Sequence, residues 1–162
     1  MGYPEIHGDE YPSKETYEAG MKAKVKHRGA WPGNDTIWRM VGDLYKGMKM
    51  RDRRYFTVID GIVAGEGQGP FCPTSKNANT LIAGDDLLAV DCVAARYMGL
   101  DPNKISYLHY FLEQEYDGVS LNSIDVYEKG ETIKDFFENN TRYADFYVVN
   151  QWQEILYELD NR

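Results

Sequence analysis

Between Tyr55 and Met98 the chain reads YFTVIDGIVAGEGQGPFCPTSKNANTLIAGDDLLAVDCVAARYM, and this run limits the fold more than any other. Two β-favouring segments flank a stretch with glycine at Gly65, Gly67 and Gly69, and an acidic pair then opens an amphipathic helix. From Tyr55 to Ile62 most residues are β-branched or aromatic, the types that fit a pleated sheet. The Val58-Ile59 run has little alternation, which predicts a central strand covered on both faces. Asp60 and Gly61 interrupt it. Glycine at every second position, ending at Pro70, predicts an irregular loop that admits a ligand close to the backbone. The spacing is neither G-x-G-x-x-G nor that of a phosphate loop.

Asn79 to Ala83 (NTLIA) reads as a second buried strand, ended by Gly84. Asp85 or Asp86 then starts a helix, because a carboxylate there accepts the free N–H groups of the first turn. Leu87, Leu88, Val90, Ala94, Ala95 and Met98 recur at helical spacing. Asp91 projects from that apolar face. A carboxylate so placed must be paired, hydrogen-bonded or metal-bound.

The 162 residues suit one domain over 1–162, with an extended arm at 1–12 and a C-terminal extension at 141–162. The expected class is α/β, a small mixed or mostly parallel sheet flanked by helices. The 15 or so residues between the two strands allow a hairpin or a crossover. A net charge of −8 argues against nucleic acid and anionic membranes as partners. No apolar run approaches the ~18 residues of a spanning helix, and no signal peptide is evident, so the expected compartment is the cytoplasm. The two cysteines, Cys72 and Cys92, form no cluster, so no iron–sulfur centre is expected from this chain. Cys72, two residues beyond Pro70, is an outside candidate for a reactive thiol.

Elsewhere, Ser13 to His27 reads as a helix with a basic end, and Gly29 to Gly33 as a turn. A helix capped by Asn34 or Asp35 should run to about Met48, with Ile37, Val41, Leu44 and Met48 as its core stripe. Arg39 and Asp43 form an i, i+4 pair, and Arg39 is also a candidate for an anionic ligand. Beyond Gly99, Ile105 to Tyr116 predicts a helix with Leu108, Phe111 and Leu112 in the core. Short elements follow: a strand at Ile124 to Tyr127, a helix at Thr132 to Phe137, a strand or extended segment at Tyr143 to Val149, and a terminal helix from Trp152 to Leu159.

Three blocks, HRGAWPGNDTIWRMVGDLYKGM, RRYFTVIDGIVAGEGQGP and LIAGDDLLAVDCVAARYMGLDPNKI, resemble the domain of unknown function 362 family of bacterial and archaeal proteins. The resemblance covers His27 to Ile105 and extends towards Val126, giving a family-like core over 27–126. Relatives are usually about twice as long, with an N-terminal α/β half before the first block, and some carry a ferredoxin-like cysteine cluster that is missing here. The resemblance implies a site built by the DGI-x-x-G-x-G-x-GP loop and the AG-x-[DN] turn. On this chain those positions are Asp60, Gly61, Gly65, Glu66, Gly67, Gly69, Pro70, Gly84, Asp85, Asp86 and Asp91.

Two functions compete. The first is an enzyme or enzyme fragment that binds a small molecule or a divalent cation. Its catalytic candidates are Asp60, Glu66 and Asp91, as hard oxygen ligands or as an acid/base pair. Gly61, Gly65, Gly67, Gly69, Pro70 and Arg39 would bind the ligand, and Asp60, Asp85 and Asp91 a metal. The second is a non-catalytic binding or assembly module, working as a homo-oligomer or with a separately encoded partner half. The structural reading of the same acids is that they cap, bond loop amides and hold turns in shape.

Overall fold

The structure is a computed structural model. It describes residues 36–51, 54–68, 72–139, 141 and 143–158, with the backbone alone at 36–39, 151 and 152. The N-terminal arm, the helix expected at Ser13 to His27, the turn at Gly29 to Gly33, the caps Asn34 and Asp35, Gly69, Pro70, Leu159 and the side chains of Arg39 and Trp152 lie outside the described residues. The chain divides into two compact units, 1–53 and 54–162.

In the first unit, helix α1 spans Thr36–Lys49 and ends with Lys46 and Lys49 in its last turn, where positive charge meets the negative end of the helix dipole. Lys49 Nζ also sits 5.7 Å from the centre of the Tyr45 ring. The buried side runs through Gly42 and Tyr45. Val41 and Leu44, expected in the core, are exposed.

The second unit begins with a ribbon. Strand β1 (Thr57–Gly61) pairs antiparallel with β4 (Thr80–Gly84), and β2 (Ala64–Gln68) pairs antiparallel with β3 (Cys72–Lys76). The glycine stretch is therefore a strand and not an irregular loop, and the connection is a hairpin and not a crossover. Small residues fit here because the ribbon packs closely: a Cβ on Gly65 would lie 3.0 Å from Pro73. Gly61 faces Thr80 and Ala64 faces Lys76, so residues 62–63 stand opposite 77–79. The extra residue makes a bulge, which bends and twists the ribbon. Asn79 takes the left-handed conformation there (φ +50°), one that asparagine tolerates better than most residues, and donates its N–H to the Ile62 carbonyl at 3.2 Å. The α/β class is as expected, and the sheet resolves into antiparallel pairs among the described residues.

Burial alternates along both strands, contrary to a strand covered on both faces. Thr57, Ile59, Thr80 and Ile82 are half-buried, while Phe56, Val58, Asp60, Leu81 and Ala83 are exposed. One face of a two-stranded sheet is covered by helix and the other is left open.

Helix α2 (Leu87–Tyr97) covers the inner face. Asp86 is its N-cap, with Oδ1 accepting from Ala89 N at 2.9 Å. Gly84 lets the helix approach: a Cβ there would stand 2.8 Å from Val90 Cγ2. After a turn at Gly99 and a 3-10 turn at Pro102–Lys104, helix α3 (Ser106–Glu113) buries Leu108, Phe111 and Leu112, as the spacing predicts. Leu88, Val90, Cys92, Ala95, Leu100, Phe136 and Phe137 complete the core. The strand expected at 124–127 is confined to a two-residue hairpin, β5 (Tyr127–Glu128) with β6 (Glu131–Thr132), turning through Lys129 and Gly130 at positive φ. That pair of positive φ values suits the tight turns of hairpins. Turns replace the helix expected at 132–137, because Phe136 and Phe137 are both needed inward. The last segment is extended from 143 to 149 and then forms a 3-10 helix at Asn150–Ile155, in place of an α-helix from Trp152. It is fastened to the turn after α2, where Asp101 N donates to Ile155 O at 2.8 Å and Tyr157 N to Gly99 O at 2.9 Å.

Candidate functional site

The acids singled out by the sequence are dispersed over this unit. Asp60 sits near the end of β1, and its Oδ1 accepts from Ile62 N at 3.0 Å, closing a small turn into the bulge. Asp85 is exposed beyond β4, and Asp86 is taken up as the α2 cap. Asp60 lies opposite Leu81, and Gly84 opposite Thr57. The DGI motif and the AG-x-[DN] turn are thus at opposite ends of the β1–β4 pair. From Leu81 to Asp85 the strand climbs roughly 13 Å, too far for Asp60 and Asp85 to share one ion. Among the described residues, no three His, Cys, Asp or Glu side chains are gathered to hold a metal.

Asp91 is half-buried on α2, and Tyr107 of α3 donates its hydroxyl to Oδ2 at 3.0 Å. Burial raises the carboxyl above its ordinary range, and the tyrosine bond offsets part of that. The Tyr107 hydroxyl is itself raised, first by burial and then by the nearby carboxylate. The pair ties the two helices together. Cys92 beside it is fully buried, with its thiol pushed up to about 12 by desolvation, so it is an inert core residue. Cys72 is exposed on β3.

Glu66 has the most elaborate surroundings. It projects from β2, and its Oε2 accepts the Tyr147 N–H at 2.8 Å. Lys76 on β3 lies 3.3 Å from the same oxygen and also donates to the Asp145 carbonyl. The Tyr147 amide and then the lysine hold the Glu66 carboxyl below its ordinary range, against a smaller opposing effect of desolvation. Next along the strand, Gly67 donates its own N–H to the Tyr147 carbonyl at 3.3 Å. Its φ is +80°, and a Cβ would come 3.3 Å from the Tyr147 ring. The conformation favours glycine here, and any side chain would also press on the Tyr147 ring. The 143–149 segment therefore straps the ribbon, and Glu66 and Gly67 are its buckle.

Sequence reasoning passed over Arg96. It is 1% exposed, and its Nη2 donates to the carbonyls of Asn139 (2.8 Å) and Thr141 (2.9 Å). Its guanidinium stacks over the Tyr157 ring at 3.8 Å. Burial lowers its pKa, and the tyrosines beside it act the other way. The signal was available: arginine on the apolar side of an amphipathic helix, with a tyrosine-rich C-terminal tail to meet it.

Cavities among the described residues border these groups. One of about 540 Å³ lies under the strap, lined by Glu66, Lys76, Arg96, Asp145, Tyr147 and Tyr157 among others. Glu66 and Lys76 pair with each other there, and Arg96 Nη2 donates to backbone carbonyls while its Nε is buried without a hydrogen-bond partner among the described residues. Another, about 670 Å³, lies beside β4 and the start of α2, with Thr80, Asp85, Asp86, Tyr97 and Tyr127 in its walls. The ribbon leaves large apolar side chains open: Phe56, Val58, Ile62, Val63 and Leu81 are 50 to 73% exposed. No helix among the described residues is long and apolar enough to cross a membrane.

A family model described as Domain of unknown function (DUF362) matches residues 9–96. The match spans α1, the ribbon and nearly all of α2. It reaches further towards the N-terminus than the resemblance from His27, and it ends short of Ile105. No curated protein and no solved structure matches the chain.

Proposed function

Because the chain belongs to the DUF362 family, we propose that it works as a non-catalytic binding or assembly module whose working surface is the outer face of the ribbon. One contrast supports this reading. Glu66, Asp86 and Asp91 are engaged by Tyr147, Ala89 and Tyr107, whereas five large apolar side chains of the ribbon face solvent. Large apolar patches on small proteins mark surfaces that meet another chain. The test is light scattering after size exclusion, on the 18.7 kDa chain alone and mixed with a separately encoded DUF362 half. The reading expects a mass above one chain in at least one sample, returned to one chain by Val58→Glu. A folded protein that stays at one chain in both samples sinks it.

The cavity beside β4 favours a second reading, an enzyme or enzyme fragment binding a small molecule or divalent cation near Asp85 and Asp86. Clefts beyond the carboxyl ends of strands are common ligand sites in α/β proteins. Thermal shift with MgCl₂, MnCl₂ and nucleotides decides it. A rise in melting temperature that Asp85→Asn removes would support ligand binding, and no rise with any of these would leave the assembly reading alone.

A further inference from the structure

We propose that the ribbon's occupant is a second copy of this chain, with β1 lying antiparallel against β1 of that copy in a register centred on Thr57. This rests on the assembly reading above and names its partner and geometry. Among the described residues β1 pairs with β4 along one edge only, so the N–H and C=O groups of its other edge have no strand to meet. An open edge carrying exposed apolar side chains is a template for another strand.

The sequence of the edge is self-complementary. Directly opposed residues in an antiparallel pair project to the same face, so bringing the two apolar outer faces into line requires even positions to meet even positions. A two-fold axis through Thr57 does this. It sets Phe56 against Val58 of the second copy, Val58 against its Phe56, and Arg54 against Asp60 at both ends of the strip. Phe56, Val58, Arg54 and Asp60 are all exposed. An axis through Phe56 would set Arg54 against Val58, and one through Val58 would set Phe56 against Asp60. Of these three registers only the one through Thr57 matches both charge and apolar character. The same parity holds for the backbone, since whichever alternate residues of β1 face outward do so on both copies. The outcome is an isologous dimer with a four-stranded antiparallel sheet, β4–β1–β1–β4, and a helix of each copy on one face.

Two experiments on the full chain test it. The first is charge exchange read by sedimentation. Arg54→Glu and Asp60→Lys should each weaken the dimer at least about tenfold by setting like charges opposite each other. Mixing the two variants should restore it, as should the double variant. Asp60 also bonds Ile62 N, so the restoration and not the single loss carries the result. The second is cross-linking in a Cys72→Ser background. Opposed residues in an antiparallel pair have Cα atoms about 4.5–5.5 Å apart, within disulfide reach. Thr57→Cys should give a covalent dimer under mild oxidation. Cross-linking through Phe56→Cys or Val58→Cys in its place would overturn the register. A dimer indifferent to charge exchange overturns the edge pairing while the assembly reading stands. A chain that is single by itself but joins a separately encoded half overturns the second copy alone.

Discussion

The ribbon and the helical layer behind it are built on opposite terms. From Leu87 to Leu112 the chain places Leu88, Val90, Cys92, Ala95, Leu108, Phe111 and Leu112 inside, whereas among the described residues between Thr57 and Gly84 only Gly61 is buried. A two-stranded hairpin with one face open is marginal in water. The helices therefore hold the ribbon, and the ribbon presents a surface that the helices do not need. Stability and interaction are assigned to different elements, and substitutions can separate them.

The largest effect belongs to the helical layer. Phe111 is 1% exposed and meets the Tyr116 ring edge-on at 5.3 Å. Phe111→Ala should destabilise the unit by about 3–5 kcal/mol in a urea titration. A loss below about 1 kcal/mol would mean that the core is not where the burial places it. Next is the seam between the two regions. Gly84→Ala puts a methyl 2.8 Å from Val90 Cγ2, in a strand already braced by α2, and should cost about 1–3 kcal/mol by overpacking. Gly84→Ala combined with Val90→Ala should recover part of that loss, since the clash is with one side chain.

The pH dependence of the two regions has opposite sign. Asp91, raised by burial, holds its proton more tightly in the folded chain than in the unfolded one. Its contribution favours the fold at low pH and is lost as pH rises through the raised pKa. Asp91→Asn should remove that component and leave neutral-pH stability equal to or above wild type, with urea midpoints between pH 3 and 7 as the check. Glu66 is the reverse. Its contribution is present above the ordinary carboxylate range and fades as pH falls through its lowered pKa. Acid should therefore loosen the strap first, seen as faster hydrogen exchange at the Tyr147 amide, and Glu66→Gln should show that fast exchange already at neutral pH.

The smallest effect is expected on the open face. Leu81 is 63% exposed, and Leu81→Ser should change stability of the single chain by no more than about 0.5 kcal/mol. A loss comparable to Phe111→Ala would erase the division between the regions.

What the sequence made legible follows the same division. A cap at Asp85 or Asp86, the existence of α2 and α3, and Leu108, Phe111 and Leu112 in the core were readable because helix signals repeat every few residues. Of the five-residue strands among the described residues, β1 and β4 were found near their true bounds, 57–61 and 80–84, whereas β2 and β3 were not. The glycines misled because Gly65 and Gly67 lack the side chains that mark a strand. Their reason for being small is Pro73 in one case and Tyr147 in the other. Asp91 was rightly read as needing a partner, but Tyr107 could not be named from spacing. Glu66 drew attention as a lone acid among glycines, and its acceptor role depends on a backbone N–H far along the chain. The open outer face was missed because Val58-Ile59 looks alike whether a second layer covers it or not.

The strap also orders events in time. Glu66 and Tyr147 are 81 residues apart, so their bond closes a long loop and gains little until the ribbon and both helices stand in place. The buckle is then among the last contacts to form when the chain folds and among the first to open when it breathes. A nascent chain is then expected to pass through a stage in which the ribbon exists and its fastening does not. During that interval the unprotected hairpin relies on the speed with which the tail arrives.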